Sequence, residues 1–139
     1  MTTRINNPIN ITDMEKSITQ EHGAQRPQQV SVSWSYGMPS YTVCVDVEEV
    51  PCDDADAPAE FRWTCIRLAE GRLSYDTLVA ALVRTRYPDD AMTAIINNHL
   101  LDPGNAGTEA EWQQMQQWRR EAKALAKQII ANYNDNGNG

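Results

Sequence analysis

The stretch VSVSWSYGMPSYTVCVDVE, residues 30–48, decides the fold class. Val30, Val32, Trp34 and Tyr36 alternate with Ser31, Ser33 and Ser35, the period of two that a strand with one buried and one wet face requires. Gly37-Met38-Pro39-Ser40 supplies turn chemistry. Tyr41, Val43, Val45 and Val47 then alternate with Thr42, Cys44, Asp46 and Glu48. Two alternating runs around a turn predict a hairpin, and the first strand is expected to bury its Val/Trp/Tyr face.

Toward the C-terminus, Val50 to Ala59 is rich in Pro, Asp and Ala and reads as an exposed loop. A third strand resumes at Glu60, with Phe61, Trp63 and Cys65 on one phase and Ile66 and Leu68 on the other. That change of phase implies either a bulge or a strand covered on both faces near its end. After Glu70-Gly71 the period becomes helical. Ser74 caps a first helix whose face is Tyr75, Leu78, Val79, Leu82 and Val83, ending near Tyr87 before Pro88.

A second helix opens with Pro88-Asp89-Asp90 and buries Met92, Ile95, Ile96 and Leu100. Asp102-Pro103-Gly104-Asn105 breaks it. A third opens with a capping box, Thr108 and Glu111, and carries Met115, Trp118, Ala122, Leu125, Ile129 and Tyr133 on one stripe over about 25 residues. The fold class is therefore α+β, a three-stranded antiparallel meander followed by three amphipathic α-helices, with the Val/Trp/Tyr face packed on the helices.

Toward the N-terminus, residues 1–28 are polar with scattered apolar positions, and read as a flexible arm that orders on a partner. Within it Ile11 to Gln20 has the marks of one short helix, capped by Thr12 with Glu15 as box partner. The chain divides into this arm, a single domain over 29–133, and a disordered tail over 134–139.

The 139 residues fit one domain, and 41% apolar with 22% charged residues is a globular balance. A net charge of -7 works against a sequence-independent grip on nucleic acid or an anionic membrane. No apolar run approaches the roughly 20 residues that span a bilayer. Residues 1–10 lack the apolar core of a signal peptide, so the expected location is cytoplasmic. Cys44, Cys52 and Cys65 are an odd number without an export signal and read as reduced thiols.

Asp46, Glu48, Glu49, Asp53, Asp54, Asp56 and Glu60 suggest calcium, but the glycine and bidentate glutamate of an EF-hand loop are missing. They read as a solvated loop and strand edge, or as an electrostatic contact for a basic partner. The cysteines show no tight pair of the kind zinc sites use. No nucleophile, base and orienting group can be assembled, so neither catalytic residues nor a metal or other cofactor is expected.

Asn97-Asn98-His99 is the most polar cluster on ordered structure, and with Arg84 and Arg86 it would suit a small ligand or nucleic acid. Its other reading is helix capping. Helix, break, helix over 74–101 has the outline of a DNA-binding pair, but Asp89 and Asp90 would face phosphate at the end that must enter the groove. Trp112 and Trp118, six apart, point to different faces of one helix, so Trp112 is a candidate anchor for a protein partner and Trp118 a core residue.

Leu68 and Gly71, Ser74-Tyr75-Asp76-Thr77-Leu78-Val79, Val83-Arg84-Thr85-Arg86-Tyr87, Ala94-Ile95-Ile96-Asn97-Asn98 and Trp118-Arg119-Arg120-Glu121-Ala122-Lys123 resemble small uncharacterised proteins of gut bacteria and their prophages. The resemblance covers about half the chain. It implies a virion-associated or assembly role and supplies no catalytic residues. The reading is a non-enzymatic structural or interaction protein that binds a protein partner or itself. The alternative is a small-ligand or nucleic-acid module using the second helix.

Overall fold

The computed structural model describes residues 17–51, 59–68 and 72–138. Four strands, β1 (Ile18–Gly23), β2 (Val30–Ser35), β3 (Met38–Val50) and β4 (Glu60–Leu68), form an antiparallel sheet in the order β1-β4-β3-β2. Three helices follow, α1 (Tyr75–Arg84), α2 (Asp89–Leu101) and α3 (Ala106–Tyr133). The class is α+β, with one strand more than the expected three. By chain contacts the molecule has two compact units: residues up to Ser31 with Thr42–Arg67, and Val32–Tyr41 with Leu68 onward.

In the first unit the additional strand is β1, which lies within the expected arm and includes the last residues of the expected short helix. It runs antiparallel to β4 with Ile18 opposite Ile66 and Gly23 opposite Phe61. Cross-strand side chains hold this register: Gln20 Nε2 donates to Thr64 Oγ1 at 3.1 Å, and Arg67 Nη1 donates to Thr19 Oγ1 at 2.8 Å. Gly23 is a close approach, because a Cβ there would stand 3.3 Å from the Trp63 ring. Thr12 and Glu15 lie outside the described residues.

Among the described residues, those buried in this unit are Val43, Cys44 and Val45 on β3 with Thr64, Cys65 and Ile66 on β4. Three consecutive buried residues mean that both faces are covered there, the second of the two readings offered for β4. The alternation expected along β3 is broken at Cys44, buried between Val43 and Val45, and Asp46 just beyond has a φ of 54°. Beyond it Glu48 and Glu49 are both exposed. Aspartate tolerates that left-handed backbone better than a β-branched residue would.

The second unit holds the tip of the β2–β3 hairpin and the helices. The turn is Tyr36-Gly37, with φ of 53° and 77°, rather than residues 37–40. Positive φ at both central residues matches the right-handed twist of the flanking strands, so β3 restarts at once at Met38. Val32, Trp34 and Tyr36 are exposed, which corrects the expectation that this face is buried. β2 is the outermost strand, so its side chains have a neighbouring strand on one side alone.

α1 starts where Ser74 accepts a hydrogen bond from Thr77 N–H, and buries Leu78, Ala81, Leu82 and Val83. α3 begins earlier than its expected box, because Asn105 is the cap and accepts from Gly107 and Thr108 N–H. Its buried stripe is Met115, Trp118, Ala122, Ala126 and Ile129, while Leu125 and Tyr133 are half-buried. Tyr133 meets Tyr41 edge to face with centroids 6.0 Å apart.

α2 has no fully buried residue, and Leu100, expected in its apolar face, is exposed with Leu101. Asn134–Asn138, read as tail, form one π-helical turn after α3. Among the described residues no helix is long and apolar enough to cross a membrane.

Candidate functional site

Five of the six expected site residues, Arg84, Asn97, Asn98, His99 and Trp112, lie on the helices, and Arg86 lies in the turn after α1. Arg84 closes α1 and its Nε lies 3.2 Å from Asp89 Oδ1, joining the last turn of α1 to the first of α2. Such a part-exposed pair is worth about 0–1 kcal/mol and orients the two helices more than it stabilises them. Arg86 lies 3.7 Å from the centroid of the Trp118 ring, a cation over an aromatic face. Asn97 and Asn98 are exposed on α2.

His99 and Trp112 come together as parallel rings, 2° between planes and 4.2 Å between centroids. Trp112 is therefore half-buried with one face covered, and does not stand free as an anchor. His99 Nδ1 is closed off from solvent and makes no directed hydrogen bond. Glu109 Oε1 nevertheless lies 2.8 Å from it, a contact that becomes an ion pair when the ring is protonated. The cluster fastens α2 to α3 where α2 has no fully buried side chain of its own.

Trp118 is buried as expected, and its indole Nε1 donates to Leu82 O at 3.1 Å. That carbonyl belongs to the last turn of α1, where it also accepts from the N–H and the hydroxyl of the capping Thr85. An open groove of about 550 Å³ beside it is lined by Arg86, Tyr87, Gln113, Gln117, Trp118 and Arg120. Arg120 Nη2 donates to Gln117 Oε1 at 2.8 Å and Gln117 Nε2 to Glu121 Oε1 at 3.2 Å, so these polar groups already engage one another.

Cys44 and Cys65 are buried free thiols. Burial, reinforced by the neighbouring Cys65, pushes the Cys44 thiol up to about 11. A thiol so protonated at neutral pH is a core residue and a poor nucleophile. Cys52, Asp53, Asp54 and Asp56 lie outside the described residues.

What the periodicity does not reveal is the hairpin tip. Trp34 is 68% exposed, Met38 59%, and Tyr36 wholly so. Alternation identifies the apolar face of a strand without telling whether anything covers it. The available signal was charge: from Pro27 to Val45 there is no Asp, Glu, Lys, Arg or His, in a chain of net charge -7. Comparison with protein-family models, with curated proteins and with solved structures returns no match.

Proposed function

We propose that the chain is a non-enzymatic protein-interaction protein whose contact surface is the tip of the β2–β3 hairpin. The observation that carries this reading is the group Val32, Trp34, Tyr36 and Met38, all exposed on an uncharged segment. Soluble proteins leave single apolar residues in water as a matter of course, but Val32 and Trp34 share one face of β2 with Tyr36 at the turn beside them, and a group that includes two aromatics marks a contact surface, with Met38 exposed on the other face opposite Ser35. Trp and Tyr are also the residues that dominate the energetics of protein interfaces. The resemblance of residues 68–130 to small proteins of gut bacteria and their prophages supports an assembly role within a phage particle.

A photo-crosslinking amino acid at position 34 tests this in cells producing the protein, with equivalents at Trp112 and at the exposed Arg119. The expected result is a protein adduct from position 34 and none from 119. No adduct from 34, or one from 112 instead, would overturn the assignment of the surface.

A further inference from the structure

The two edges of the sheet are built differently. β1 presents Glu21 and His22, and its surroundings are charged: His22 Nδ1 lies 2.6 Å from Glu60 and Arg67 Nη2 3.7 Å from Glu21. Charges of this kind are how natural sheets keep an edge from pairing with another chain. β2 has none, no proline between Val30 and Ser35, and among the described residues no strand beyond it. An edge without those defences is a template for strand addition.

Its backbone is oriented for that. Cys44 N–H donates to Gln29 O at 2.8 Å, which places Gln29 in a hydrogen-bonded pair. Hydrogen-bonding direction alternates along a strand, so Ser31 and Ser33 turn their amides toward β3, and Val32 and Trp34 turn theirs outward.

We propose that the outer edge of β2 pairs antiparallel with β2 of a second copy of this chain, about a twofold axis at Ser33. This rests on the reading of the hairpin as the contact surface and names its occupant. The register sets Val32 opposite Trp34 of the other copy and Ser31 opposite Ser35. Both outward amide pairs are then satisfied, and each aromatic meets a β-branched partner.

Charge leaves this segment as the place where a second copy can dock. Two chains of net charge -7 repel each other over most of their surface, and the segment from Pro27 to Val45 lets them meet without opposing carboxylates. A twofold interface must also be self-complementary, as this alternation of Val, Trp and Ser is. With an aromatic side chain contributing roughly 150–250 Å², Trp34 and Tyr36 supply a large part of the approximately 800 Å² per partner of a standard interface. The contact therefore falls at the smaller, reversible end, with a Kd of about 1–100 µM.

Light scattering and sedimentation of the full chain over a wide range of concentration test it, beside Ser33→Lys, Trp34→Ser and, as a charge control on the exposed side of α3, Gln128→Lys. The expected result is a monomer–dimer equilibrium weakened at least about tenfold by both hairpin variants and unchanged by the control, with circular dichroism and Tm showing all variants folded. A full chain that stays monomeric at the highest concentration overturns the proposal, as does a dimer indifferent to Ser33→Lys. A chain that dimerises only once residues 1–16 are removed assigns the edge to that segment and likewise overturns it. A monomer that still crosslinks from position 34 to a different protein sinks the second copy while leaving the hairpin as contact surface.

Discussion

Trp118 and Trp34 belong to the same compact unit and have opposite surroundings. Trp118 is 7% exposed, seated in the α3 stripe with its indole N–H on Leu82 O and Arg86 across its face. Trp34 is mostly in water on an edge strand. The first is accounted for by folding, since burying such a side chain is among the larger favourable contributions a small domain has. The second gains the fold little, so its apolar surface is available to a contact outside the monomer. The contrast separates residues that hold the structure from residues that the structure displays.

The sharpest attempt to break the comparison removes the buried ring. Trp118→Ala should cost about 3–5 kcal/mol in urea or thermal unfolding, the range for truncating a buried aromatic. Trp118→Phe should cost only about 1 kcal/mol for the lost indole donor, because Leu82 O keeps Thr85 Oγ1 at 2.6 Å. A Trp118→Ala protein as stable as the parent would show that the ring is not a core residue.

Along the hairpin the same contrast runs from the exposed tip to the buried Cys44. The unfolded thiol ionises near its ordinary 9.0 and the folded one near 11, so below pH 9 both states are protonated and the group adds no pH dependence. Between those values the unfolded chain releases a proton that the folded chain retains, and stability falls as pH rises. Cys44→Ala should flatten that alkaline decline in unfolding curves recorded at successive pH values. An unchanged slope would mean that the thiol is more open to water than Val43 and Val45 beside it.

A smaller effect, with the opposite sign, is expected at Tyr36. A non-glycine residue at a φ of 53° costs about 1–2 kcal/mol. The fully exposed ring returns little of that within the monomer. Tyr36→Asn gives the Asn-Gly pair that this turn favours and should raise stability by about 1 kcal/mol in thermal unfolding. Self-association measured in parallel should weaken. A loss of stability would mean that the ring makes contacts within the fold.

How far the sequence speaks follows the same division. The faces of α1 and α3 were legible because a 3.6-residue period reports burial in one element against its neighbours, as Leu78, Leu82, Met115 and Ile129 show, whereas the expected face of α2 has no fully buried residue. β1 was not, because Ile18–Gly23 is mostly polar and gains its stability from β4, with Thr19 paired to Cys65 far along the chain. The turn was displaced because tyrosine at positive φ runs against local preference. Of the site, the His99–Trp112 stack escaped because it joins two helices, and the hairpin was misread as core because alternation of Val and Trp with Ser is the same whether or not the face is covered.

The smallest expected effect discriminates best. Trp34→Ser should change the stability of the monomer by no more than about 0.5 kcal/mol, the usual range for surface substitutions. It is measured by unfolding at protein concentrations low enough that any dimer has dissociated. A loss of 2 kcal/mol or more, the scale of a buried apolar side chain, would show that Trp34 is covered within the chain and would remove the physical reason for assigning the hairpin an outward role. A near-zero change at low concentration, together with a loss that grows as concentration rises, is what mass action requires of a residue whose burial takes place between molecules. The concentration dependence therefore locates the side chain in the assembled state independently of any measurement of mass.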